Sequence, residues 1–313
     1  MIGIFGASVA ETLGASLRTG WRDIPELAEL SRVIGKPLRF ENLAVTSGRQ
    51  PLQYNLLHLF HDRIDLAVII DGLNELFQGT LPSGRGGCEY LRPFWETSRQ
   101  TPGELMHPLF RKQQEIERLA DSWLWIPLRY SGLFKAYLYS RSTHVKQWTL
   151  DYLRTMSSKP TTFANGSDAQ NIAAWRSCIE LSAEYAQSVN LPILFLLQPN
   201  QYVDGSKPFS QEERVCCFHS SVEMASGWMS TFANVTRNYA AMERDMEELR
   251  RAGIAAFSLS QIYKDVEATI YVDNCCHVNV EGNRIMAGAM GRRLLEQFTG
   301  RGDGATIETP RLR

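Results

Sequence analysis

The chain has 313 residues, 44% of them hydrophobic and 21% charged, with a formal net charge of -1. Such a length buries a large core, such a composition excludes wholesale disorder, and such a charge leaves no global field to recruit nucleic acid or an anionic membrane. No apolar run reaches the roughly 18 residues of a spanning helix, so no integral membrane segment is expected. The first apolar run begins almost at Met1 with no signal-peptide pattern. A cytoplasmic location is therefore expected if Met1 is the native start, with a missing upstream segment as the alternative.

Ile2 to Phe5 is an apolar run that breaks at Gly6-Ala7-Ser8, as a short buried strand of a parallel sheet does. Ser8 then lies just past the carboxyl end of that strand, where open α/β sheets bind ligands. Alternatively it caps a helix, for which serine is a preferred residue. A looser, small-residue segment follows. Next comes a helix ending at Gly35, with Asp23 as its cap, Pro25 in its first turn, and Leu27, Leu30, Val33 and Ile34 at helical spacing. Leu38 to Val45 predicts a second strand, emptying into Asn42 to Gly48. A helix is predicted from Pro51 to Asp62, with Leu52, Leu56, Leu57, Leu59 and Phe60 facing inward. Asp65 to Ile70 is a clear buried strand that runs into Asp71-Gly-Leu-Asn-Glu75. This alternation predicts an α/β protein with a mainly parallel five-stranded sheet between two helical layers.

The pattern lapses over 79–167, read as a helical insertion within one domain spanning 1–313. Within it, 105–148 carries crowded tryptophans and tyrosines, either an extra layer on the core or a lid or partner surface. Order returns with a helix at 168–189, a strand at 191–197 that exits into Gln198 to Tyr202, and a capping-box pattern at Ser210 to Glu213. A helix at 234–252, a strand at 254–259 and an extended approach at 269–272 lead to Asp273-Asn-Cys-Cys-His277. A last helix follows Gly282 and stops before Gly300. The six cysteines, two adjacent pairs among them, fit neither a disulfide framework nor zinc-site spacing, so reduced thiols are expected. A Cys276 nucleophile beside His277 is a minor alternative.

Four polar clusters follow apolar runs: Ser8, Asn42 to Gly48, Asp71 to Glu75, and Asp273 to His277. In a parallel sheet such positions converge on one edge. Convergence gives Ser8 as nucleophile, His277 as general base and Asp273 as the carboxylate that orients the imidazole. Backbone amides at Ser8 and after the second strand, with the Asn74 side chain, would then face a developing oxyanion.

On these residues the chain resembles the SGNH/GDSL hydrolase family, in the variant whose first block lacks aspartate. The blocks are Phe5-Gly-Ala-Ser8, Asn42 to Gly48 with Gln50-Pro51, Asp71 to Glu75, and Asp273 to His277 with Asn279 and Gly282-Asn283. The resemblance spans the whole α/β core and implies a flavodoxin-like three-layer fold. It implies Ser8, Asp273 and His277 as the catalytic set, and Ser8, Ser47, Gly48 and Asn74 as the oxyanion hole. No metal or organic cofactor is implied. Two departures stand out: Ala7 replaces the aspartate, and Asp273 lies four residues before His277, where the family spaces it three and this chain has Asn274. Either Asp273 or Asn274 could partner the histidine. The implied activity is a serine esterase removing small acyl groups, with acetyl on carbohydrate as the suggested substrate. An O-acyltransferase using the same site, and a non-catalytic glycan-binding or scaffold protein, are the alternatives.

Overall fold

The computed structural model describes residues 1–46, 48–77, 168–224 and 230–300. The chain divides into two units, Met1–Tyr90 with Ala164–Arg313, and Leu91–Phe163; every described residue belongs to the first. The expected insertion at 79–167, with its aromatic stretch 105–148, lies outside the described residues, as does Ser47.

Five strands, β1 (Ile2–Gly6), β2 (Phe40–Asn42), β3 (Leu66–Asp71), β4 (Ile193–Leu197) and β5 (Ala256–Ser258), form one sheet in the order β2-β1-β3-β4-β5. Every pairing is parallel. β1 and β3 are buried along their whole length, as a sheet covered on both faces requires. Helices α1 (Ser8–Gly20) and α2 (Pro25–Ile34) pack with the last helix, α8 (Val280–Thr299), on one face. On the other face are α3 (Leu52–Phe60), α4 (Leu73–Phe77), α5 (Asp168–Ser188) and α7 (Val235–Arg251), while α6 (Gln211–Cys216) precedes α7 in the chain. The register pairs Gly6 with Ile70, Asp71 with Leu197, and Leu197 with Ser258. Strand ends are thereby aligned, and the residues just past each strand fall along one edge.

Several expectations need correction. The segment after Ser8 is helix α1, with Val9, Ala10, Leu13, Gly14 and Leu17 buried at helical spacing. Its small residues hide the periodicity, and Gly14 is there for fit: a Cβ on it would stand 2.7 Å from Asn42 Cγ. Asp23 ends a 3-10 turn instead of capping α2, whose N-cap is Ile24 with no side-chain bond. In α3 the buried positions are Gln53 and Leu57, while Leu52 is exposed. Residues 269–272 form no strand; Tyr271 makes a single antiparallel bridge to Val278. Helix α8 starts before Gly282, capped by Asn279, whose side chain accepts the Gly282 N–H at 2.9 Å. Cys178 is disulfide-bonded, whereas Cys216, Cys217, Cys275 and Cys276 are free. Among the described residues, no helix is long and apolar enough to cross a membrane.

Candidate active site

Gly6 ends β1 in a conformation with φ of 140°, and a Cβ there would lie 2.2 Å from the Ile70 carbonyl oxygen and 2.7 Å from Ala10 Cβ. Only glycine lets the chain turn this tightly between the neighbouring strand and its own helix. Ala7 is the N-cap of α1, so Ser8 is the first helical residue and caps nothing. Its amide and those of Val9 and Ala10 fall where a helix offers no internal acceptor, and the Glu11 N–H is the first to bond, to Ala7 O at 2.8 Å. The hydroxyl therefore stands at the positive end of a 13-residue helix. Asn42 holds that first turn in place by donating to the Glu11 carbonyl at 2.9 Å.

His277 arrives from the other end of the chain. Its Nε2 lies 2.8 Å from Ser8 Oγ, and its Nδ1 is hydrogen-bonded to Asp273 Oδ2. With the Nδ1 proton donated to the carboxylate, Nε2 is left to accept from the serine hydroxyl. The four-residue spacing has a local cause. Asp273 Oδ1 accepts the backbone N–H groups of Cys275, Cys276 and His277 at 2.9, 3.2 and 3.2 Å. The chain wraps round the carboxylate as the first turn of a helix wraps round its cap, which returns the imidazole to the other carboxylate oxygen. Asn274, at the usual family spacing, instead points its side-chain amide at His219 Nδ1, 3.2 Å away.

Charge follows from these contacts. Burial works against ionisation of Asp273, but the His277 bond and the turn's amides outweigh it and hold the carboxyl at about 2. The Asp273 bond in turn raises His277 above the ordinary 6.5, with burial opposing. Cys276 is buried, and its thiol is pushed well above the usual range by Cys275 and by burial, so it is no nucleophile.

The expected oxyanion residues differ in what they offer. The Asn74 side chain donates one N–H to the Gly48 carbonyl at 3.2 Å and keeps a second. Gly48 corrects its expected role: its own N–H is taken by Val45 O at 2.7 Å, so it contributes an anchor for Asn74 and no donor. Ser47 lies outside the described residues. Gly72 opens the Asn74 turn, and a Cβ on it would meet Gln198 Cγ at 2.6 Å and the Tyr239 hydroxyl at 2.7 Å.

Sequence reasoning missed the residues that brace the loop carrying Asp273 and His277. Gln201 Nε2 donates to the carbonyls of Asp273 at 3.0 Å and Cys217 at 3.1 Å. The Tyr202 hydroxyl donates to the Asn274 carbonyl and accepts the His219 N–H, both at 2.8 Å. Both follow β4 at the same sheet edge as the recognised clusters, and that position was the available signal. Gln198 and Asn200 are buried beneath the edge. The approach to the loop is pinned by a fully buried pair: Lys207 Nζ lies 3.1 Å from Glu213 Oε2, and Glu213 Oε1 accepts the Ile270 and Tyr271 N–H groups at 2.8 and 3.0 Å. Among the described residues, no cluster of three or more histidine, cysteine or acidic side chains is arranged to hold a metal ion.

Against this geometry, comparison with protein-family models and with curated proteins gives no match for the chain.

Proposed function

We propose that the protein is a serine ester hydrolase of the SGNH/GDSL type. The observation that carries the reading is the continuous line from Asp273 through His277 to the Ser8 hydroxyl, closed across 269 positions of sequence. Ser8 Oγ attacks the acyl carbonyl while His277 Nε2 takes its proton, and Asp273 stabilises the imidazolium. The negative oxygen is met by the Ser8 amide at the helix terminus and the second Asn74 N–H. His277 then returns the proton to the departing alcohol, leaving Ser8 acylated. Water, deprotonated by the same imidazole, attacks that acyl group; His277 gives the proton back to Ser8 as the acid leaves. Small acyl esters, with acetylated carbohydrate foremost, are the substrates that the family resemblance implies; the fold itself fixes none. The turn around Asp273, which brings its carboxylate to His277 despite the four-residue spacing, supports the catalytic reading over a non-catalytic one.

The test is p-nitrophenyl acetate turnover by the wild type and by Ser8→Ala, with fluorophosphonate labelling mapped by mass spectrometry. Loss of turnover on the order of 10⁴-fold or more and label on Ser8 are expected. Equal rates for the two proteins would refute the proposal.

A further inference from the structure

Asp71 and Glu75 are two buried carboxyl groups to which the reaction gives no part. Glu75 accepts hydrogen bonds from two segments at once: the Gly72 N–H at 2.7 Å through Oε2 and the Gln50 N–H at 3.4 Å through Oε1. Gly72 begins the turn that carries Asn74, and Gln50 lies two residues beyond Gly48. The same segments meet again where Asn74 donates to the Gly48 carbonyl, and a third time where Gln50 Nε2 donates to Asp71 Oδ2 at 2.7 Å. We infer that Glu75 is a positioning residue, its carboxyl group clamping the Asn74 turn to the Gly48 loop and so fixing where the free Asn74 N–H points. The inference rests on the esterase reading above.

The cost of the arrangement supports it. A buried carboxyl is unfavourable unless its oxygens are used, and an apolar residue at this helical position would avoid that penalty. Burial, then the neighbouring Asp71, pushes Glu75 well above the ordinary carboxyl range. Burial likewise raises Asp71 to about 6, with Gln50 and Trp175 opposing. The fields of Arg49 and Tyr239 also reach Glu75.

The discriminating experiment is a double-mutant cycle on the full chain, with kcat normalised to the Ser8 labelled by fluorophosphonate, so that loss of folded protein does not count. Glu75→Ala alone should lower kcat between about tenfold and a hundredfold with KM within about twofold, since misplacing an oxyanion donor costs up to what removing it costs. Glu75→Gln, which keeps the size and one acceptor, should recover most of that loss. In an Asn74→Ala background, Glu75→Ala should cost under about threefold, because the donor it places is gone. An equal cost in both backgrounds, or an unchanged kcat in Glu75→Ala, would overturn the inference. Should Glu75→Ala not fold, Glu75→Leu, which fills similar space and keeps no acceptor, takes its place in the cycle, and equal effects in both backgrounds again reject the inference. Activity that survives Ser8→Ala sinks the esterase reading itself; a flat cycle with Ser8→Ala inactive sinks only the role of Glu75.

Discussion

Two parts of the site hold carboxyl groups with backbone amides, and they move the pKa in opposite directions. Asp273 gathers three amides and an imidazole, keeps over a third of its side chain in solvent, and stays charged down to about pH 2. Glu75 gathers two amides, has almost no solvent access, feels the charge of Asp71, and is pushed well above the ordinary carboxyl range. The residue types are nearly interchangeable, so the number of donors and the access of water decide which way the pKa moves. The lowered one is bonded to the imidazole, and the raised pair ties together the backbone segments on either side of Asn74.

The sharpest way to break this contrast is to neutralise the charged side. Asp273→Asn should lower kcat by about 10⁴, as the matching change does in serine proteases, with Asn274→Asp staying within a few-fold of wild type. The acid limb of kcat/KM reports the same contact. It should fall above pH 6.5 in the wild type, because only neutral His277 is a base and Asp273 raises its affinity for a proton. In Asp273→Asn the limb should move to lower pH; a limb that stays in place would show that Asp273 does not set it.

A second break is structural. Lys207→Met leaves the Glu213 charge buried beside the segment that leads to Asp273, and should cost about 3–5 kcal/mol in a urea melt. Asn74→Ala comes next on the oxyanion side, with kcat lowered by about 10²–10³ and KM little changed.

The smallest expected effect tests the buried pair. Asp71 binds its proton more tightly folded than unfolded, so its contribution is complete below about pH 4 and declines as pH rises to about 6. Asp71→Asn should remove that decline, so the stability difference between variant and wild type should shift in the variant's favour, on the order of 1–3 kcal/mol between pH 4 and 7. A pH-independent difference would show that Asp71 ionises in the fold as it does in water.

Much of this was legible in the chain. The apolar runs marked all five strands, and the polar residues after them marked the edge where the serine, the asparagine and the histidine loop are found. Helix α1 was hidden because its buried face is built of small residues, and a glycine chosen for its contact with Asn42 looks from sequence like a break. Asp273 was assigned as the partner of His277 with Asn274 left as the alternative, since spacing alone cannot reveal a chain that coils round its own side chain. Gln50 and Glu75 lie in the polar blocks and Gln201 and Tyr202 just after β4, so their places were legible, whereas most of the bonds they make span long stretches of sequence, which no local pattern announces.

The long reach between Ser8 and His277 bears on how the protein is made. A nascent chain presents its serine together with β1 and α1, yet carries no general base until 269 further residues have been synthesised and the His277 loop has left the ribosome. Any ester cleavage by Ser8 would thus report that β1 and the His277 loop have docked, making activity in a stalled-translation series a direct clock for closure of this edge of the sheet.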